Sequence, residues 1–153
     1  MNADGSNQVR LTTSTGASPN GSGDASWSPD GTKFLLATAD AFGVSDPIVA
    51  ISVSGGSVAA IALPPTYEHY AWPVWSPSGD RFALLGTVAA VLVFNANGTG
   101  PTALPRTELS DGHAWSPNGT SLAISKPGAS NLRIVNVATG ASFALSGLSG
   151  AVS

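Results

Sequence analysis

The side chains best suited to acid–base or metal chemistry are His69, His113 and Asp111. Histidine titrates near neutral pH and is a common metal ligand, so such a set suits proton transfer or metal binding. The two histidines are 44 residues apart (113 − 69), however, and that separation matches no ligand motif. The Gly-x-Ser-x-Gly motif of hydrolase nucleophiles is absent. We therefore predict no catalytic residue, no metal site and no cofactor in this sequence.

Side chains suited to recognition lie in the longer segments between the apolar runs, and they include both histidines and both tyrosines. The candidate binding residues are Asp40, Phe42, Asp46, Tyr67, Glu68, His69, Tyr70, Trp72, Arg106, Glu108, Asp111 and His113. Functional residues concentrate on loops that a rigid scaffold holds, which favours a binding surface here. The alternative for the aromatic residues of segment 67–72 is that they seal the packing between neighbouring structural units.

Composition argues against several classes of partner. The net charge is −3 and the six Lys and Arg residues are scattered, which disfavours nucleic acid and anionic membrane surfaces. No apolar run approaches the roughly 18–20 residues of a membrane-spanning helix, so we predict no membrane insertion. Met1 precedes polar residues, and we expect no signal peptide in this sequence. Cysteine is absent, which removes disulfides and thiolate chemistry.

A repeated sequence motif indicates which strands and turns position the candidate residues. The motif Trp-Ser-Pro-x-Gly occurs at residues 27–31, 75–79 and 115–119, and a short apolar run follows each copy. The tryptophans are 48 (75 − 27) and 40 (115 − 75) residues apart. A period of roughly 40–50 residues is typical of a four-stranded β-propeller blade.

The five motif residues favour a bulged hairpin turn. Pro presets φ at the second position of a turn, and Gly adopts a left-handed conformation at little cost. Gly31, Gly79 and Gly119 are therefore predicted to have positive φ. Each tryptophan ends the first strand of its hairpin, and we expect Trp27, Trp75 and Trp115 to be largely buried between blades.

The strand pattern predicts an all-β protein with four antiparallel strands in each propeller blade. We interpret 1–153 as a single partial propeller domain with about three blades and an extra N-terminal outer strand. Residues 1–12 end a preceding blade, 24–63, 71–104 and 113–145 form blades, and 146–153 begin another. No segment has a convincing helical period. Propellers typically close with four to eight blades, so the predicted ring is incomplete.

Blade geometry sorts the connections into two faces. The turns after the first and third strands of each blade lie together on a short-turn face. The longer connections, after the second and fourth strands, form a long-loop face that carries all twelve candidate binding residues. We predict that a partner binds there.

The turn at residues 2–6, the following strand 8–12 and the motif at 27–33 resemble the TolB-type β-propeller repeat, and the resemblance covers nearly the whole chain. It implies a periplasmic or extracellular location and a surface that docks other proteins. Related propellers cap the catalytic domain of prolyl-oligopeptidase-like serine hydrolases. The predicted function is thus a non-catalytic protein-interaction module. The alternatives are the propeller domain of such a hydrolase, with its catalytic domain outside this chain, and a propeller that binds a small ligand or Ca²⁺.

An incomplete ring leaves apolar faces on its terminal blades and unpaired edges at the strand 9–12. Such surfaces favour association. We expect either a fragment of a longer chain or chains that associate to complete the ring, and we predict that the isolated chain self-associates or is unstable alone.

Overall fold

Twelve short β-strands form the regular structure in a computed structural model of the chain, which describes residues 4–8, 24–37, 48–54, 57–63, 70–86, 90–105, 112–125 and 132–145. Among these residues there is no helix, and so none that is long and apolar enough to cross a membrane. The predicted all-β class is confirmed.

The strands form three antiparallel sheets of four, and each sheet is one propeller blade with its strands in sequence order. Blade one contains β1 (Ala25–Trp27), β2 (Lys33–Ala37), β3 (Ile48–Ser52) and β4 (Val58–Ala60). Blade two contains β5 (Tyr70–Trp75), β6 (Arg81–Gly86), β7 (Ala90–Asn95) and β8 (Thr102–Ala103). Blade three contains β9 (Gly112–Trp115), β10 (Ser121–Ser125), β11 (Leu132–Asn136) and β12 (Ser142–Leu145). The first strands of neighbouring blades are in contact, since β5 touches both β1 and β9.

The Trp-Ser-Pro-x-Gly motif forms the same turn in each blade. Gly31, Gly79 and Gly119 have φ values of 67°, 73° and 68°, which confirms the predicted left-handed conformation. Each glycine amide donates to the carbonyl of the motif serine, at N···O distances of 2.8–3.0 Å. These turns place the strands on either side of them in register.

An equivalent backbone hydrogen bond joins the two short turns in each of the three blades. Val53 N donates to Thr32 O, Ala96 N to Asp80 O and Val137 N to Thr120 O. The bond lengths are 3.0, 2.8 and 3.0 Å. The turns after the first and third strands therefore lie side by side on one face, as predicted.

Blades one and two enclose the first interblade core. Blade one contributes Leu35, Ala37 and Ile48, and blade two contributes aromatic residues from β5, β6 and β7. The ring of Phe82 stacks on that of Phe94 with a centroid separation of 5.3 Å, and Trp75 meets Phe82 edge-on at 5.7 Å. Burial of such large apolar surfaces is the main favourable contribution to blade packing.

Blades two and three enclose the second interblade core, which is aliphatic. Its buried members are Ala83, Val91, Val93, Leu104, Leu122, Ile124, Val135 and Val137. β6 thus contributes to both cores, because alternate residues of a strand point to opposite faces of the sheet. This arrangement explains the uninterrupted apolar run of β7, which is covered on both faces.

The expectation that all three motif tryptophans are buried is wrong for Trp27. Trp75 is 5% exposed and lies in the first interblade core, whereas Trp27 is 59% exposed. Trp115 is half-buried against the second core, and its Nε1 donates to Val74 O at 3.0 Å. Each buried tryptophan packs on the preceding blade, and the described residues place no blade before Trp27.

Candidate functional site

Most of the candidate binding residues lie outside the described residues. These are Asp40, Phe42, Asp46, Tyr67, Glu68, His69, Arg106, Glu108 and Asp111. The other three, Tyr70, Trp72 and His113, lie in β-strands and not in loops. The structure brings Trp72 and His113 together where β5 and β9, the first strands of blades two and three, run side by side, whereas Tyr70 packs against blade one.

Tyr70 begins β5, one residue before the predicted blade 71–104. It pairs with Gly86 of β6, and its side chain is 5% exposed within the first interblade core. The placement of Tyr70 in an exposed loop is therefore corrected. Its burial matches the alternative role considered for this segment, which is to seal neighbouring blades.

A β-bulge interrupts β5 between Ala71 and Val74. Trp72 and Pro73 together oppose one residue of β6, and Trp72 adopts a φ of 51°. Proline lacks an N–H donor, so sheets accommodate it at bulges. The left-handed conformation of a bulky residue is a rare and unfavourable state that the surrounding structure must enforce. Because of the bulge, the half-buried Trp72 side chain does not follow the regular alternation of side chains between the two faces of the sheet.

His113 lies in β9, two residues before Trp115, and is largely buried beside the backbone of Trp72 and Ala83. Neither Nδ1 nor Nε2 makes a well-formed hydrogen bond. Desolvation lowers the pKa of His113 below its usual value of 6.5, and the nearby backbone groups of Ala83 and Trp72 only partly oppose that effect. The imidazole is thus neutral at pH 7 and can both donate and accept a hydrogen bond.

The β5–β9 junction, defined here as Trp72, Pro73 and His113, joins a re-aimed indole to an imidazole whose two ring nitrogens are buried. Pro73 is buried as well, so the half-buried Trp72 is the member of the junction whose side chain a ligand can contact. No group of three or more His, Cys, Asp or Glu side chains able to hold a metal ion occurs within the described part of the chain.

The sequence analysis selected Trp72 as a candidate binding side chain but did not predict its positive φ or the β-bulge. A signal was present, because Pro73 inside an apolar run indicates a bulge when the run is a strand. His113 was assigned both to the end of a loop and to a strand, and the structure supports only the strand.

The charged side chains of the short-turn face have structural partners. Asp30 accepts hydrogen bonds from Ser28 and from Thr32, and these bonds lower its pKa to about 2. Lys33 and Arg81 lie over the rings of Trp75 and Trp115, at 5.1 and 5.6 Å from the ring centroids. These residues stabilise turns and interblade contacts.

Comparison with solved structures identifies the architecture as a TolB-like β-propeller fold. A TolB-type protein from Agrobacterium tumefaciens has a TM-score of 0.67 and 21% identity, over 82% of this chain and 46% of that chain. TolB from Acinetobacter baumannii has a TM-score of 0.66 and 17% identity, over 88% of this chain and 34% of that chain. A chain in the crystal structure of a nidogen/laminin complex has a TM-score of 0.65 and 12% identity, over 80% of this chain and 46% of that chain.

These likenesses establish the fold, because all three identities are below 25%. The matched region spans less than half the length of each of the three structures. No family model matches the chain, and no curated protein matches it.

Proposed function

We propose that this propeller is a non-catalytic module that binds a protein partner through its long-loop face, with Trp72 as a central anchor. The observation that carries the proposal is the left-handed Trp72 at the β5 bulge. Strain of this kind costs about 1–3 kcal/mol, and residues that carry it cluster at active sites, ligand clamps and switch regions.

The position of Trp72 supports the proposal. It follows segment 64–69, which holds the candidates Tyr67, Glu68 and His69, so an anchor at Trp72 adjoins the predicted binding loop. Tryptophan is among the residues that contribute most at protein interfaces, because it buries a large surface and also offers an N–H donor. The half-buried indole needs little additional ordering on binding.

The comparisons support the proposal at the level of fold. One of the matched propellers was crystallised in a complex of two proteins, nidogen and laminin. A periplasmic or extracellular location, implied by the TolB resemblance, belongs to the same proposal. The alternatives of a hydrolase propeller domain and of a small-ligand or Ca²⁺ propeller remain predictions, because no residue in the described ranges favours them.

The proposal is tested by selecting displayed random peptides on the immobilised protein and measuring their affinity for three proteins. These are the wild type, Trp72→Ala and Trp27→Ala. We expect Trp72→Ala to weaken binding by at least about tenfold, as for an interface anchor. Trp27→Ala is the matched control, since Trp27 is an exposed tryptophan outside the long-loop face.

Two results contradict the proposal. One is the selection of peptides that bind Trp72→Ala and the wild type equally well. The other is loss of binding in Trp27→Ala alone, which would place recognition on the side of blade one. Circular dichroism of each variant separates lost binding from lost folding, and Trp72→Leu retains apolar volume if the alanine variant unfolds.

A further inference from the structure

His113 lies on the side of β9 that faces blade two. It pairs with Ile124 of β10, and paired residues of neighbouring strands point to the same side of a sheet. Ile124 is 3% exposed in the second interblade core. The imidazole is therefore packed between blades two and three, and both of its ring nitrogens are buried without a well-formed hydrogen bond to any described residue.

The imidazole packs against both strands that form the β5 bulge. Its neighbours in blade two are the backbone of Trp72 and that of Ala83. Trp72 is the bulge residue with a φ of 51°, and Ala83 of β6 pairs with Val74, the first residue after the bulge. A change at the imidazole therefore acts directly on the segment that holds the Trp72 side chain.

The strands next to His113 provide no carboxylate that could stabilise a charged imidazole. Within the described ranges, β5, β7, β9 and β10 contain no Asp, Glu, Lys or Arg. The other titratable group on these strands is Tyr70, which lies in the first interblade core. Asp111 precedes His113 by two residues and lies outside the described residues. A proton on the imidazole is thus a buried charge with no opposite charge on these strands.

The two charged side chains on the other strands of blades two and three are cations. β6 begins with Arg81, which forms an ion pair at 3.5 Å with Asp80 of the preceding short turn. β11 contains Arg133, which pairs with Ile124 and so lies on the same side of blade three as His113. Like charges disfavour protonation of the imidazole.

Acid therefore destabilises the packing of His113. Desolvation lowers the pKa of His113 below its usual value of 6.5, and the backbone of Ala83 and Trp72 only partly opposes this effect. A state in which the imidazole reaches water binds the proton more readily than the packed state. The stabilisation by neutral His113 is thus fully present above the ordinary pKa of 6.5 and is lost as pH falls through the lower pKa of the packed state.

We propose that His113 is a pH-sensitive switch for the Trp72 site. Protonation of the imidazole by water separates β9 from β5 locally, and the bulge, no longer held from the side of blade three, releases Trp72 from its left-handed conformation. The inference rests on the proposed function where it treats Trp72 as the anchor of a protein partner, and it adds that mild acid releases that partner.

NMR titration of the wild-type chain between about pH 7.5 and about pH 5, the range in which histidine charges, tests the switch without any partner. We expect the ring protons of His113 to titrate with a midpoint below 6.5. The indole N–H signal of Trp72, assigned with Trp72→Phe, should move with that same midpoint, and that of Trp27 on blade one should not. Asp30 remains ionised throughout, because its pKa is about 2.

His113→Gln removes the titrating group and keeps a polar side chain, so the Trp72 signal should no longer follow pH in this variant. Thr102→Gln, at an exposed position of β8, is the matched control and should retain the titration. If His113→Gln unfolds, His113→Phe replaces it, since phenylalanine keeps a planar ring and has no titrating nitrogen.

The effect on binding is measured with a peptide that was selected on the protein at about pH 7.5 and contains no residue that titrates in this range. We expect its affinity for the wild type to fall at least about fivefold at about pH 5, which is the low end of typical coupling between sites. Its affinity for His113→Gln should not change with pH. A peptide that requires Trp72 and binds the wild type equally at both pH values overturns the inference and leaves the proposed function intact. If no selected peptide requires Trp72, the proposed function fails and the NMR titration alone decides the inference.

Three NMR results overturn the inference: a His113 midpoint at or above 6.5, a wild-type Trp72 signal that does not follow that midpoint, or a Trp72 signal that still follows pH in His113→Gln. Loss of the β-sheet circular dichroism of the wild type at about pH 5 also overturns it, because the switch requires a local change within a folded protein.

Discussion

At the scale of single residues, the repeat turns of blades one and three use different acceptors for the same set of donors. In blade one, Asp30 Oδ1 accepts from Ser28 Oγ at 2.6 Å and from Thr32 N at 3.0 Å. In blade three, Asn118 Oδ1 accepts from Ser116 Oγ at 2.7 Å and from Thr120 N at 3.1 Å. The turn therefore requires an acceptor oxygen and not a negative charge.

Blade two has Ser78 where the other blades have Asp30 and Asn118. Its acceptor comes from Asp80, whose Oδ1 receives hydrogen bonds from the hydroxyls of Ser76 and Ser78. These bonds lower the pKa of Asp80. The acceptor has moved two residues along the turn while the serine that it binds has stayed in place.

Asp30→Asn is expected to keep the turn at neutral pH and to reduce the acid sensitivity of folding. The hydrogen bonds from Ser28 and Thr32 lower the pKa of folded Asp30 from 3.8 to about 2. The unfolded state thus binds the proton first as pH falls. The stabilisation by Asp30 is present above about pH 4 and is lost between about pH 4 and about pH 2. Urea unfolding across this range should show a shallower decline for the variant.

Asn118→Asp is the matched control for this prediction, because it places a titrating carboxylate in the equivalent turn of blade three. It should make the decline steeper over the same pH range. An Asp30→Asn protein with unchanged acid sensitivity would show that the Asp30 hydrogen bonds do not persist in solution.

At the scale of the elements, β5 is the strand that departs from the repeat. Its first residues pair with Leu85 and Gly86, and the bulge at Trp72 and Pro73 separates these pairs from the regular pairing of Val74 and Trp75. β1 and β9 show no register shift in their recorded pairs. The β5 bulge in blade two is therefore the feature that distinguishes the first strands of the three blades.

Trp72→Gly is expected to be more stable than Trp72→Ala by about 1 kcal/mol, because glycine adopts a positive φ at little cost and alanine does not. Both variants lose the same indole contacts, so the difference reports the backbone alone. The free energy of unfolding from urea titration measures it. At Trp115, which is not among the positive-φ residues, the order should reverse, and an alanine advantage at both sites would contradict the left-handed Trp72.

The strands could be predicted from sequence because each repeat carries its own turn residues. The Trp-Ser-Pro-x-Gly motif positioned β1, β2 and their equivalents to within a few residues. The start of β5 could not be predicted in this way, since the bulge depends on pairing with β6. The environment of His113 could not be predicted for the same reason. Burial against blade two lowers its pKa, and no pattern in the sequence near His113 specifies that it packs on blade two.

At the scale of the whole molecule, identical residues differ because their neighbouring blades differ. Trp27 and Trp75 occupy the same position of the repeat, yet within the described ranges only Trp75 has a blade to pack against. Sequence predicts the position of a tryptophan within its blade. Its burial depends on the adjacent blade, which is why the expectation failed for Trp27.

Trp75→Ala is expected to lower the free energy of unfolding by about 3–5 kcal/mol, since it removes an aromatic side chain from the first interblade core. Thr102→Ser, at an exposed position of β8, should change it by less than about 0.5 kcal/mol. Denaturant titrations at one fixed protein concentration allow the comparison even if the chains associate. Equal denaturation midpoints for the wild type and Trp75→Ala would show that Trp75 does not pack in the core.

The turn between β7 and β8 limits how closely two blades approach. A methyl group at Gly98, whose φ is 85°, would overlap Ile61 Cγ2 of blade one. A larger residue there requires either that Ile61 moves or that the outer strands of the two blades separate. If the outer strands separate while the first strands stay in contact, the angle between adjacent blades widens and fewer blades complete a circle. The absence of a side chain at Gly98 thus lets the outer parts of blades one and two pack closely, which helps to set the angle between them.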